Sequence, residues 1–259
     1  MLNCDFKPNI MKYILALVLV LNCIYTKAQD STKVTRTVSG VISMRADMIP
    51  KPDTNQVLYD EKGKALRYYQ YNKILSTGLY TIKLSEDKSL PRKQVITKLS
   101  EEQLNKYNTL IRENTKIKNQ YVYETKKLDA APLTAFYEQD KLDNKVIVQI
   151  FWYANCSTCT DFFAELSEFF KSLGDPKDLL VLLVTNDNQD VAKKKLKEMP
   201  LRNAELISSG KAIADAYQIT GYPAYIVSDK NYVIKYAVAG FSRLAIPDLK
   251  TAIKTSLGR

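Results

Sequence analysis

The chain of 259 residues has no histidine and only four cysteines. A zinc site takes about four ligands, most often cysteine and histidine. Here Cys156 and Cys159 form the single close pair, with no second pair in reach. No metal and no cofactor are expected. Long apolar runs are missing as well. Tyr13–Leu21 is an uninterrupted apolar stretch, but a membrane span needs about 20 such residues, so no stable span is expected. The basic excess, 38 Lys and Arg against 28 Asp and Glu, is scattered among acids. Its one tight run, Lys193-Lys194-Lys195, lies in a helical pattern and reads as a solvated face. With no nucleic-acid motif beside it, this charge does not point to a nucleic-acid partner. No internal repeat is found. The apolar and charged fractions, 46% and 25%, are those of a globular protein, which excludes wholesale disorder. The length suits one large domain or two small ones.

The first residues read as an address. Met11-Lys12 supplies a positive start, Tyr13–Leu21 a short apolar core, and Thr26-Lys27-Ala28 a cleavage site before Gln29. Met11 serves equally well as the start, because residues 1–10 add nothing that a signal needs. Residues 1–28 are therefore expected to be a signal peptide and the mature protein to lie outside the cytoplasm, in the periplasm. Cys23 as a lipid acceptor is the alternative, although Asn22 before it fits that signal poorly. Cleavage at Ala28 removes Cys4 and Cys23 and leaves Cys156 and Cys159 alone. An exported chain with one close pair suits redox chemistry better than a disulfide-stapled scaffold.

Residues 29–127 are expected to form a small α+β extension. Val38–Met44 has strand character, and Pro50-Lys-Pro-Asp-Thr-Asn is a loop. Asp60–Gly63 is a turn, 66–75 has helical spacing closed by Gly78, and Leu79–Leu84 alternates like a strand. Ser100-Glu-Glu-Gln103 is a capping-box pattern, and Leu104, Tyr107, Leu110 and Ile111 continue it as a helix. Tyrosines cluster in this half, a density that core packing explains more simply than a binding surface does. No catalytic constellation occurs here, and the role of the segment is not legible.

Residues 128–259 alternate strand and helix signals, as an α/β domain does. Val146–Trp152 has the length and β-branched content of a buried strand. Beyond Cys159, Phe162, Phe163, Leu166, Phe169, Phe170 and Leu173 mark one face of a helix, with Gly174 as its stop. Cys156-Ser-Thr-Cys159 thus sits where a strand gives way to a helix N-terminus. Free backbone N–H groups and the helix dipole there favour a thiolate. A lowered pKa would make Cys156 a nucleophile, and Cys159, one turn on, the thiol that resolves the mixed disulfide. A structural disulfide and half of a zinc site are the competing readings. Further on come a buried strand at 179–185, a helix capped by Asn186–Asp190 and carrying Val191, Leu196 and Met199, and a short helix with Ile213 and Tyr217. Strands at 224–228 and 232–239 follow, and a last helix opens near Pro247.

Phe151-Trp152…Cys156-Ser-Thr-Cys159, then Tyr217-Gln-Ile-Thr-Gly221-Tyr222-Pro223, then Gly240-Phe-Ser242 resemble the thioredoxin fold, and most of all its extracytoplasmic TlpA/ResA-type branch. The resemblance covers the last half of the chain. It implies a three-layer α/β fold and exchange of disulfides with cysteines of other exported proteins, with a separate redox partner recycling Cys156 and Cys159. It also implies a cis peptide bond before Pro223, placed beside the cysteines, and a substrate groove formed by Trp152, Tyr222 and Pro223. A non-catalytic module of the same fold with a static disulfide is the alternative. Peroxiredoxin activity fits less well, because the threonine- and proline-containing approach to a peroxidatic cysteine is absent. The sequence departs from the family at four places. Ser157-Thr158 replaces Gly-Pro, Asn155 replaces a tryptophan, Ala164 stands at the position of a kinking proline, and Ile150 stands where a buried aspartate assists proton transfer. The fold is expected to survive these changes, while the redox potential and the proton-transfer group are left open.

Overall fold

The computed structural model describes residues 53–86 and 93–259. The expected signal peptide over 1–28, with Cys4 and Cys23, and the strand expected at 38–44 lie outside the described residues.

The first part builds a small sheet from β1 (Leu58–Tyr59), β2 (Ala65–Leu66), β3 (Tyr80–Leu84) and β4 (Gln94–Lys98), in the order β2-β1-β4-β3. Asp60 makes the β1–β2 turn by accepting the N–H groups of Lys62 and Lys64 on Oδ1, at 3.0 and 2.8 Å. Gly63 occupies the left-handed position there, at φ 78°. Helix α1 (Tyr68–Leu75) follows β2, and Tyr71 from it joins Leu58, Leu66 and Ile96 in a small separate core. Helix α2 (Glu101–Thr115) starts on the expected capping box. Ser100 Oγ accepts the Gln103 N–H at 3.2 Å, and Gln103 Oε1 accepts the Ser100 N–H at 3.1 Å. Its apolar face is nevertheless only partly covered: Leu104 and Ile111 are half-buried, while Tyr107 and Leu110 are 46% and 60% exposed.

A 3₁₀ turn (Ala131–Leu133) and α3 (Gln139–Leu142) lead into the main sheet. This sheet consists of β5 (Val146–Trp152), β6 (Leu179–Thr185), β7 (Glu205–Ile207), β8 (Ala224–Ser228) and β9 (Ile234–Ala239), in the order β7-β6-β5-β8-β9. Its helices are α4 (Ser157–Thr160), α5 (Phe163–Ser172), α6 (Gln189–Glu198), α7 (Lys211–Ala216) and α8 (Ala245–Ser256). β5 runs parallel to β6 and antiparallel to β8, and all seven of its residues are buried. Strand alternation divides them between two cores. Val146, Val148, Ile150 and Trp152 meet Phe163, Leu166 and Phe170 of α5 and Leu249 and Ile253 of α8. Ile147 and Phe151 meet Leu133, Leu142 and Ile213 on the other face. Each large side chain so buried contributes about 1.5–3 kcal/mol. The result is the three-layer α/β arrangement expected for the second half.

Two details depart from the sequence reading. Val191 is 44% exposed, and Ala192 takes the inward position of α6 instead. β4 and β7 were not foreseen. The segment 116–128 lies along the edge strand β9. Ile117 N–H donates to Ala237 O at 2.9 Å, Thr125 N–H to Ile234 O at 2.8 Å and Leu128 N–H to Tyr232 O at 2.7 Å. It thereby satisfies edge groups that would otherwise face solvent.

Candidate functional site

The site grows from the end of β5. After Trp152 the chain turns through Tyr153–Asn155, and the Cys156 N–H closes the turn on Tyr153 O at 3.1 Å. Cys156 caps α4, with Cys159 one turn further on, and the two are joined in a disulfide with Cα atoms 5.2 Å apart. Cys156 Sγ accepts the backbone N–H of Cys159 at 3.1 Å and lies 3.5 Å from Thr158 Oγ1. These are the contacts that would stabilise a thiolate on Cys156 once the bond is reduced. The two sulfurs differ in access: Cys156 keeps 6% of its surface, whereas Cys159 is fully buried.

The helix does not run on unbroken. It stops at Asp161, and Phe162, at φ −100° and ψ 2°, separates α4 from α5. The break thus arises with alanine, not proline, at position 164. Four residues make a weak dipole, so the Cys159 N–H itself carries most of the local electrostatic support for Cys156.

The proline motif lies at the same end of the sheet. Phe151 pairs with Ala224 across β5 and β8, so Pro223 follows at the level of Trp152. The Tyr222–Pro223 peptide is cis, as the resemblance implies, and Pro223 O accepts the Gly240 N–H at 2.8 Å. Tyr222 is half-buried, sets its ring edge-on to Tyr153 at 5.5 Å, and accepts a hydrogen bond from Asn186 Nδ2 at 3.3 Å. Burial pushes its hydroxyl above the ordinary tyrosine value, so it stays protonated near neutral pH. Trp152 is placed differently. It is fully buried, edge-on to Phe163 at 5.5 Å, and supports the site from beneath without facing solvent.

No acid stands below the cysteines on β5, because Ile150 is sealed in the apolar core. Asp161 is exposed, and Glu165 is tied to Lys250 at 2.6 Å on the surface. The carboxylate that does reach the site is Asp187, just past β6, which the sequence reading treated only as part of a helix cap. Its Oδ2 accepts the Ala154 N–H at 2.6 Å and the Thr185 hydroxyl at 3.0 Å. It therefore pins the loop that presents Cys156. The cue available in the sequence was that Thr185 ends a buried strand, which parallel pairing sets beside Trp152.

Among the described residues no cluster of three or more cysteine or carboxylate side chains is arranged to hold a metal, and no helix is long and apolar enough to cross a membrane. A cavity of about 670 Å³ lies elsewhere, between α2, β9 and α8, with Arg112, Tyr236 and Asp248 in its wall. No cysteine lines it, so the thiol chemistry is assigned to the cysteine end.

The sequence model of the Redoxin family, described as Redoxin, matches residues 118–253, more than half of the chain. No curated protein matches the sequence. Among solved structures, the chain is similar to the thioredoxin domain of a thiol-disulfide oxidoreductase from Bacteroides vulgatus (23% identity, 45% of this chain and 82% of that one, TM-score 0.38). It is also similar to a thiol:disulfide interchange protein from a Bacteroides species (22% identity, 47% and 78%, TM-score 0.39). A third is a thiol-disulfide oxidoreductase from Bacteroides fragilis (17% identity, 43% and 82%, TM-score 0.37).

Proposed function

The chain belongs to the Redoxin family, with a thioredoxin-like domain of the thiol–disulfide oxidoreductase type, and on that premise we propose that it exchanges disulfides with cysteines of other exported proteins. The observation that carries the reading is the asymmetry of the pair: Cys156 retains surface and receives the Cys159 N–H, while Cys159 is sealed beneath it. In the reducing direction, the Cys156 thiolate attacks one sulfur of a substrate disulfide. The substrate S–S bond breaks, a Cys156–substrate disulfide forms, and the departing thiolate takes up a proton. Cys159 then loses its proton and attacks Cys156 Sγ, which expels the second substrate thiolate and closes Cys156–Cys159. Two electrons pass to the substrate, and an external thiol donor must return the pair to the dithiol. The half-buried Tyr222 and the buried Pro223 line the substrate groove in this reading, and Trp152 is the buried floor. The direction is that of the TlpA/ResA branch which the motifs resemble.

The same proposal includes a signal over 1–28, an accessory segment over 29–127, a catalytic domain over 128–259 and a periplasmic location. An intact mass of the exported protein beginning at Gln29 supports that location, whereas a mass retaining Cys23 with acyl chains replaces it with a lipoprotein. The chemistry is tested by trapping. Cys159→Ser, expressed with its leader, should accumulate mixed disulfides that dissolve on reduction, and Cys156→Ser should not. Trapping by Cys156→Ser alone would reverse the two roles. No trapping by either would favour a binding module with a static disulfide.

A further inference from the structure

The cysteine pair is framed by aromatic rings, each attached to a turn that defines the site. Tyr153 accepts the Cys156 N–H on its carbonyl, and Phe162 lies three residues beyond Cys159. Tyr222 precedes the cis proline, and Phe241 follows Gly240, whose N–H is bound to Pro223 O. Phe162 and Phe241 stack at 5.8 Å with planes 21° apart, yet Phe241 remains 56% exposed. The Phe241 ring thus rests on Phe162 by one face and keeps the rest of its surface open to a partner.

The loop that carries Phe241 is also held by α2 and Gly78. Two residues on, Arg243 leaves the loop and donates from Nη2 to Asn108 Oδ1 of α2, with its guanidinium 5.8 Å from the Tyr107 ring. Its stem and Nε press on Gly78, where an added Cβ would come within 2.7 Å of Nε. Arg243 Nε is buried there and has no hydrogen-bond partner among the described residues. Arg112 of α2 binds Asp248 of α8 through two hydrogen bonds, at 2.7 and 2.9 Å, and tethers the same helix a second time.

We propose that Phe241, held over Phe162 by the grip of Gly78 and α2 on Arg243, selects target cysteines that carry an apolar or aromatic side chain next to them in an extended segment. The inference rests on the oxidoreductase reading and gives Gly78 and α2 a positioning role at the substrate face. A target side chain lying against the exposed Phe241 ring gains an aromatic contact that a hydroxyl or a charge does not. Such contacts correspond to roughly three- to tenfold in rate or affinity.

The test uses the protein reduced with dithiothreitol and desalted, and three probes: bis(2-hydroxyethyl) disulfide, and two cysteine peptides in mixed disulfide with glutathione. One peptide flanks its cysteine with phenylalanine and the other with serine. Wild type should react with the phenylalanine peptide about three- to tenfold faster than with the serine peptide. Phe241→Ser should bring that ratio to about one, Phe241→Trp should restore it, and Arg243→Ala should lower it, all relative to the wild-type expectation. A ratio near one in wild type, with ready reaction of bis(2-hydroxyethyl) disulfide, would overturn this inference alone. A ratio that survives Phe241→Ser would do the same. A ratio lost in Phe241→Ser but kept in Arg243→Ala would overturn the positioning role of Arg243. No reaction of wild type with bis(2-hydroxyethyl) disulfide would overturn the oxidoreductase reading itself.

Discussion

Replacing Asp187 by alanine should loosen the loop that presents Cys156. The carboxylate accepts two hydrogen bonds on Oδ2, from the Ala154 N–H at 2.6 Å and the Thr185 hydroxyl at 3.0 Å, in a half-buried setting. Hydrogen bonds to a charged acceptor contribute roughly 1.5–3 kcal/mol each when water is excluded. Here water can reach part of the site and replace some of that, so the expected cost is about 2 kcal/mol for the pair. For a domain of this size that lowers Tm by about 4–8 °C. Asp187→Asn keeps an acceptor at the same place and should lose about 1 kcal/mol or less. Thr185→Val removes one of the two donors and should fall between them. Thermal unfolding followed by circular dichroism measures the stability. The rate of Cys156 alkylation against pH measures whether the loop still delivers the sulfur to the Cys159 N–H. An alanine variant as stable as wild type, with an unchanged alkylation profile, would refute the argument. Equal losses in the alanine and asparagine variants would instead show that the charge matters and the hydrogen bonds do not.

Other outcomes follow from the same geometry. Leu166→Ala, in the fully buried face of α5, should cost about 2–5 kcal/mol in denaturant unfolding, and a cost under about 1 kcal/mol would mean that α5 is not the cover of β5. Glu113 is held down to about 2 by hydrogen bonds from Lys116 and Lys118. Its contribution is therefore complete above the ordinary value of 4.5 and disappears as pH falls through about 2. A carboxyl NMR titration should place its midpoint near 2 and move it upward in Lys116→Met, and a wild-type midpoint near 4.5 would contradict the pairing. The Arg112–Asp248 pair has side chains 48% and 26% exposed. A double-mutant cycle should give a coupling of about 1 kcal/mol or less that shrinks with salt.

What could be read from the sequence was what depends on neighbours along the chain. The change from an unbroken apolar run to helical spacing marks β5 and α5 on either side of Cys156, and the capping box at Ser100 starts α2 where expected. Both signals arise within a few residues. β7 is only three residues long and pairs with β6 more than twenty residues earlier, and β4, although it pairs antiparallel with the preceding β3, does not alternate strongly enough to stand out alone. Asp187 meets Ala154 only because β5 and β6 run parallel, which joins residues 33 apart. Arg243 meets Asn108 across 135 residues, and no local pattern announces that contact. The apolar positions of α2 mark a helix, but periodicity cannot say whether another element covers them, and Leu110 is left open. Trp152 belongs to the Phe-Trp lead-in of the motif, but strand alternation turns it inward under Phe163.

Selective alkylation of the reduced pair with iodoacetamide, followed against pH and assigned by peptide mass, tests the central claim most directly. If the helix cap and the Cys159 N–H activate Cys156, it should be the cysteine modified first, with an apparent pKa clearly below the ordinary thiol value of about 8.5. Preferential modification of Cys159, or a Cys156 midpoint at or above about 8.5, would contradict the account of Cys156 as the activated nucleophile.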